Sequence, residues 1–147
     1  NKQPYKTNVG IQFRHEQARD VHSPGYYVHL EPSRAFLGVG MWRPDPDSLR
    51  RIRERIAARP AEWQRALGDA AFQRHFDLGG ESLTRPPRGF GKDHPCIEDI
   101  KRKSFIATRE LDVESCLRPQ FQRVVESSFR TAEPLMRFLC EAVGVRF

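Results

Sequence analysis

Gly25-Tyr26-Tyr27-Val28-His29-Leu30-Glu31-Pro32-Ser33-Arg34-Ala35-Phe36-Leu37-Gly38-Val39-Gly40-Met41-Trp42-Arg43-Pro44 decides how this chain folds. Two runs of β-favouring residues flank Glu31-Pro32-Ser33-Arg34, a turn signal, so the stretch reads as an antiparallel hairpin. Side chains alternate between the two faces of a strand. With Leu30 set opposite Leu37 across a six-residue loop, Tyr26, Val28 and Leu30 share a side with Leu37, Val39 and Met41, and that side belongs in a core. The other side carries Tyr27, His29 and Glu31 against Gly38, Gly40 and Trp42. A four-residue loop moves the pairing by two positions and keeps both sets, whereas a one-residue slip mixes them. Glycines facing a Tyr and a His leave a hollow floored by backbone and walled by aromatic, imidazole and carboxylate groups. That hollow is the candidate site.

Upstream, Tyr5 to Glu16 contains a strand. Thr7, Val9, Ile11 and Phe13 join the apolar side, while Lys6, Asn8, Gly10, Gln12 and Arg14 extend the polar one. Gln17 to Pro24 is a polar loop. Downstream, Asp45-Pro46-Asp47-Ser48 starts a helix, with Leu49, Ile52 and Ile56 as its buried edge and Arg50, Arg51, Arg53, Arg55 and Arg59 around the rest. It ends at Arg59-Pro60. A second helix holds Trp63, Ala66, Leu67 and Ala70, with Asp69 capping a last segment through Phe72 and Phe76, and Gly79-Gly80 closes the helical part. Ser82 to Gly91 is extended, because its paired prolines disfavour helix. Asp93-His94-Pro95 opens a short helix, Ser104 to Leu111 is a fourth strand, and helix resumes at Pro119. Pro134 splits that last helix, with Thr131 as the cap of the second half and Gly144 as its end. The order of elements is α+β: an antiparallel sheet of about four strands with helices packed on its apolar face.

The 147 residues suit a single domain spanning the whole chain. Hydrophobic content of 38% and a mean hydropathy of -0.67 describe a polar, foldable chain with no run long enough to span a membrane. Three widely spaced cysteines, Cys96, Cys116 and Cys140, favour reduced thiols and a cytoplasmic protein over a disulfide framework. The net charge of +6 points towards nucleic acid, but 20 of the 25 basic residues are Arg spread along the chain, a pattern that codon usage also produces.

Several chemistries drop out. Gly38-Val39-Gly40 lacks a third glycine at Arg43 and sits inside a strand, so it is no dinucleotide fingerprint. Gly91-Lys92 is followed by Asp93 and has no glycine five residues earlier, which excludes a phosphate-binding loop. No cysteine pair has zinc spacing, and no elbow marks a nucleophilic Ser. His29 and Glu31 share a strand face, and a distant His75 or His94 would complete a two-His-one-carboxylate metal site.

Six motifs then resemble one family: Pro4 to Asn8, Gly25 to Pro32, Phe36 to Gly40, Arg85-Pro86-Pro87-Arg88-Gly89-Phe90, Asp93-His94-Pro95, and Lys101-Arg102-Lys103-Ser104. The family is the one called domain of unknown function 2461, and the resemblance spans nearly the whole chain. It implies no activity, cofactor or catalytic residue. Similar members begin with a further helical segment leading into Pro-Tyr-Lys, so the resemblance also implies that this chain is a fragment of a longer one.

The expected function is binding of a small anionic or polar ligand on the polar sheet face. The residues expected to hold it are Lys6, Asn8, Arg14, Tyr27, His29, Glu31, Gly38, Gly40 and Trp42, with Arg88 on the rim. A metal-dependent enzyme using His29 and Glu31, or a nucleic-acid-binding module, are the alternatives. No motif names a cofactor, and nothing indicates an oligomeric state. Gly40→Val is expected to fill the hollow and keep the fold, and Arg55→Ala to change neither fold nor binding.

Overall fold

The computed structural model describes residues 7–14 and 23–147. The hairpin stretch forms β2 (Gly25–Glu31) and β3 (Arg34–Met41), joined by Pro32 and Ser33. Of the two registers with identical faces, the tighter is adopted: Leu30 pairs with Ala35, His29 with Phe36 and Tyr27 with Gly38. Pro32 presets φ for the first central position of a turn, which lets the chain reverse within two residues before Glu31 and Arg34 pair.

Three further strands extend this hairpin. β1 (Val9–Arg14) lies beside β2, β5 (Phe105–Leu111) beside β3, and the short β4 (Asp77–Gly79) beside β5. The order is β1-β2-β3-β5-β4 with every neighbour antiparallel. The α+β class is as expected, with five strands where the sequence indicated about four. The additional strand lies where Gly79-Gly80 reads as a helix end. Three residues are too few to display an alternation.

Helices form where caps and prolines announce them. Asp45 accepts the Ser48 amide at 3.2 Å to start α1 (Pro46–Ala58), and Pro60 opens α2 (Pro60–Leu67). Asp69 caps α3 (Ala70–His75) through the Phe72 amide at 3.0 Å. After α4 (Ile97–Ile100) and β5 come α5 (Phe121–Thr131) and α6 (Glu133–Val143), which ends at left-handed Gly144. Thr131 is not the cap between these two. Its hydroxyl donates back to the Ser127 carbonyl, and Ala132 occupies the cap position.

The helices cover the hairpin's apolar side. Trp63 is fully buried there, edge-on to Phe105 and tilted against Phe138, with Leu37, Ile52, Ile56, Leu135 and Leu139 also buried. Val28, Val39 and Met41 are buried, and Tyr26 and Leu30 half-buried. Val9, Ile11 and Phe13 depart from expectation and are exposed. Their strand is the outermost of the sheet, and the helices lie over its centre; Phe13 reaches Phe129 of α5 with 6.2 Å between ring centres. Among the described residues no helix is long and apolar enough to cross a membrane, and all three cysteines are free.

The arginines of α1 serve this packing. Arg55 reaches Glu62 at 3.0 Å and Glu141 at 2.6 Å, tying α1 to α2 and α6. Arg53 donates to the carbonyls of Ile100 and Arg102 at 2.7 and 2.9 Å. Arg50 and Arg51 pair with Asp47. Arg55 was expected to be dispensable, but its guanidinium joins three helices, which predicts a contribution to stability.

Candidate functional site

Three cross-strand rows build the polar face. The first runs Gly10, His29, Phe36, Glu110; the second Gln12, Tyr27, Gly38, Thr108, Asp77; the third Arg14, Gly25, Gly40, Ile106, Gly79. Glycines at 25, 38 and 40 remove side chains from the middle of rows two and three, and Gly79 from the end of row three. A concavity of about 710 Å³ results, with Gln12, Arg14, Tyr27, Phe36, Trp42 and Thr108 among its walls.

Distant contacts fix these walls. Trp42 is 59% exposed at the rim, where Arg43 turns the chain at a φ of 45° and donates its amide to the buried Ser104 hydroxyl at 2.9 Å. The short strand bearing Gly79 stands beside Arg102, whose Nε donates to Asp99 at 2.8 Å. Asp99 in turn accepts from Trp63 Nε1 at 2.8 Å, so the hollow's floor is linked to the centre of the core. Arg34 crosses to Glu110 at 3.2 Å and lies 4.4 Å above the Phe36 ring. Arg14 donates to Gln12 Oε1, and it has no carboxylate partner among the described residues.

Row one differs from the other two. His29 stacks on Phe36 at 4.7 Å, with an 18° angle between the rings. Its Nδ1 is 2.9 Å from Tyr27 Oη and its Nε2 3.0 Å from Glu31 Oε2. Glu31 also accepts from Ser33 Oγ at 3.3 Å. The His29 hydrogen bond holds the Glu31 carboxyl below the ordinary carboxylate range. Tyr27 is the joint of the site: it lines the concavity and carries the hydrogen-bonded chain to Glu31.

A family model described as conserved hypothetical protein (DUF2461) matches residues 1–138. The chain belongs to that family. The match takes in every residue of the three rows, and the family description names no activity. Comparison with the curated proteins and with the solved structures found no match. The chemistry of this DUF2461 face therefore has to come from its own geometry.

That geometry sorts the expected site residues. Arg14, Tyr27, Gly38, Gly40 and Trp42 line the concavity, whereas His29 and Glu31 are not among its walls. Asn8 is exposed just ahead of β1, and Arg88 is exposed in a loop outside the concavity's walls. Lys6 lies outside the described residues, as does most of the loop read between Gln17 and Pro24.

Gly40 needs correction. Its φ is +116°, and a Cβ there would sit 2.0 Å from the Phe105 carbonyl oxygen. Gly40 is a glycine because the backbone of β5 passes against it, so Gly40→Val cannot keep the fold unchanged. Gly38 is the true gap: a Cβ there would meet Tyr27 at 3.7 Å and Ile106 at 3.8 Å, ordinary contacts.

The metal alternative gains no third ligand. Among the described residues no three His, Cys, Asp or Glu side chains converge. His94 is engaged at both nitrogens, with the Ala57 carbonyl and the Cys96 amide, each at 3.0 Å. His75 stands near Arg109, which pairs with Leu37 on the core side of the sheet.

Phe36, Arg34, Thr108, Ile106 and Gly79 escaped the sequence reading. Phe36 shares its parity with Gly38 and was within reach of that pattern. Arg34 shares that parity too, whereas Thr108, Ile106 and Gly79 depend on which strands become neighbours, which no local pattern encodes.

Proposed function

We propose that the polar face of this DUF2461 domain binds a small polar molecule with an anionic end. The glycine-floored concavity carries the reading: about 710 Å³ matches the size of sites that enclose a metabolite. Arg14, a cation with no carboxylate partner among the described residues, and Gln12 suit the anionic end. Trp42, Phe36 and Tyr27 suit a flat body laid over the glycine floor.

A thermal-shift screen against phosphorylated and carboxylated metabolites tests this, with the parent chain, Gly38→Val and Arg14→Ala side by side. A ligand at a hundred times its dissociation constant adds about 2.7 kcal/mol to stability, a readily measured shift. Gly38→Val should abolish the response and Arg14→Ala weaken it. An equal response in Gly38→Val would place the ligand elsewhere and end this reading.

A further inference from the structure

We propose that Tyr27, His29 and Glu31 form a proton-transfer relay, in which the Tyr27 phenol is the acid–base group acting on the molecule held in the concavity. The inference rests on the binding reading above and adds a reaction class to it: removal of a proton from an O–H, or from a C–H beside a carbonyl, of a small anionic compound. An ionised carboxylate can only accept hydrogen bonds, so the imidazole proton sits on Nε2, facing Glu31 Oε2 at 3.0 Å. Nδ1 then presents its lone pair to Tyr27 Oη at 2.9 Å. As Tyr27 Oη takes a proton from the bound compound, its own proton passes to Nδ1. The imidazolium so formed is paired with Glu31, and the compound is left with the electron pair of the broken bond. Tyr27 is the catalytic residue; His29 accepts its proton, and Glu31 positions His29.

Two features of the sheet serve this arrangement. Phe36 stacks on the imidazole and fixes its plane. Gly10, opposite His29, leaves the notch that the phenol fills: a Cβ there would fall 2.7 Å from Tyr27 Oη. The group it would displace is the far end of the Tyr27 side chain, and Gly10 itself lies on the exposed edge strand β1, so Gly10→Ala moves the hydroxyl off His29 without touching the core.

The relay is tested without knowing the substrate by an aryl sulfonyl fluoride, with adducts mapped by mass spectrometry. The phenol oxygen bonds to sulfur, the sulfur–fluorine bond breaks, fluoride leaves, and the phenol proton passes to His29 Nδ1. Tyr27 should react faster than Tyr26 and faster than Tyr27 of the chain unfolded in urea. A positioned base contributes about 100-fold or more in many sites, so His29→Gln and Gly10→Ala should each slow Tyr27 by at least about tenfold. Glu31→Gln, whose amide oxygen still accepts from Nε2, should slow it several-fold. Free imidazole should restore labelling in His29→Ala, which a purely structural role would not allow. Circular dichroism confirms that each variant is folded; if the His29 variants are not, Gly10→Ala and Glu31→Gln carry the test. Absence of a Tyr27 adduct in the parent, an unchanged rate in folded His29→Gln or Gly10→Ala, or no rescue by imidazole overturns the relay. A failed metabolite screen with successful labelling removes the binding reading and leaves the relay; the converse removes the relay alone.

Discussion

Valine at Gly40 and valine at Gly38 should act in opposite directions, although the two positions share a strand and a face. At Gly40 a φ of +116° is open to an L residue only with strain of ~1–3 kcal/mol. The added Cβ also meets the Phe105 carbonyl oxygen at 2.0 Å, and that oxygen is backbone, so relief requires β3 and β5 to part near the Gly40–Ile106 pair. Losing one or two ladder hydrogen bonds there costs roughly 1–3 kcal/mol more. The sum, about 2–6 kcal/mol, is a large share of the ~5–15 kcal/mol that holds a typical domain together. At Gly38 the Cβ finds ordinary contacts at 3.7 and 3.8 Å and an unstrained backbone. Exchanging glycine for a β-branched residue within a strand is worth up to ~1 kcal/mol, so Gly38→Val should be neutral or stabilising. Urea unfolding followed by tryptophan fluorescence measures both, with buried Trp63 as reporter. Gly40→Val with the parent's midpoint, or Gly38→Val destabilised by more than ~1 kcal/mol, would refute this account of the two glycines.

Arg55→Ala removes the link from α1 to Glu62 and Glu141 and should cost about 1–2 kcal/mol, since the guanidinium is mostly shielded; an unchanged urea midpoint would contradict it. Burial, with Glu133 adding to it, pushes the Tyr26 phenol up to about 12, so the stability it contributes is complete below its unfolded value of about 10 and is lost as pH rises through 12. Partial exposure reduces the full linkage to roughly 1–2 kcal/mol, and Tyr26→Phe should flatten the alkaline decline. Glu31 and Glu110 are both held low, by His29 and Arg34 respectively, so their contribution is complete above the ordinary carboxylate value of ~4.3 and disappears as pH falls through their lower folded values. The double variant Glu31→Gln/Glu110→Gln should therefore show a shallower acid decline than the parent in unfolding midpoints below about pH 4.

Residues 25–42 disclosed the hairpin, its core side and the face that carries the hollow, because strand alternation is local and two residues suffice to repeat it. Asp45-Pro46, Asp69 and Gly144 disclosed helix ends for the same reason: a cap closes onto an amide or carbonyl within one turn. The remaining features depend on residues far apart along the chain. The two hairpin registers have identical faces, so alternation could not say that His29 would stack on Phe36 and leave the gap at Gly38 to Tyr27. Gly40 looked like an empty place, and only the passage of Phe105 against it shows that the space is taken by backbone. The sequence places the arginines of α1 off its buried edge, and only the fold brings Glu62, Glu141 and the Ile100 carbonyl to them. β4 acquired its role from a strand far along the chain, where Asp77 pairs with Thr108, and no local pattern reaches that far. Short-range periodicity is written residue by residue, whereas register, strand order and the partner of a long charged side chain are settled when the whole chain competes for the same contacts.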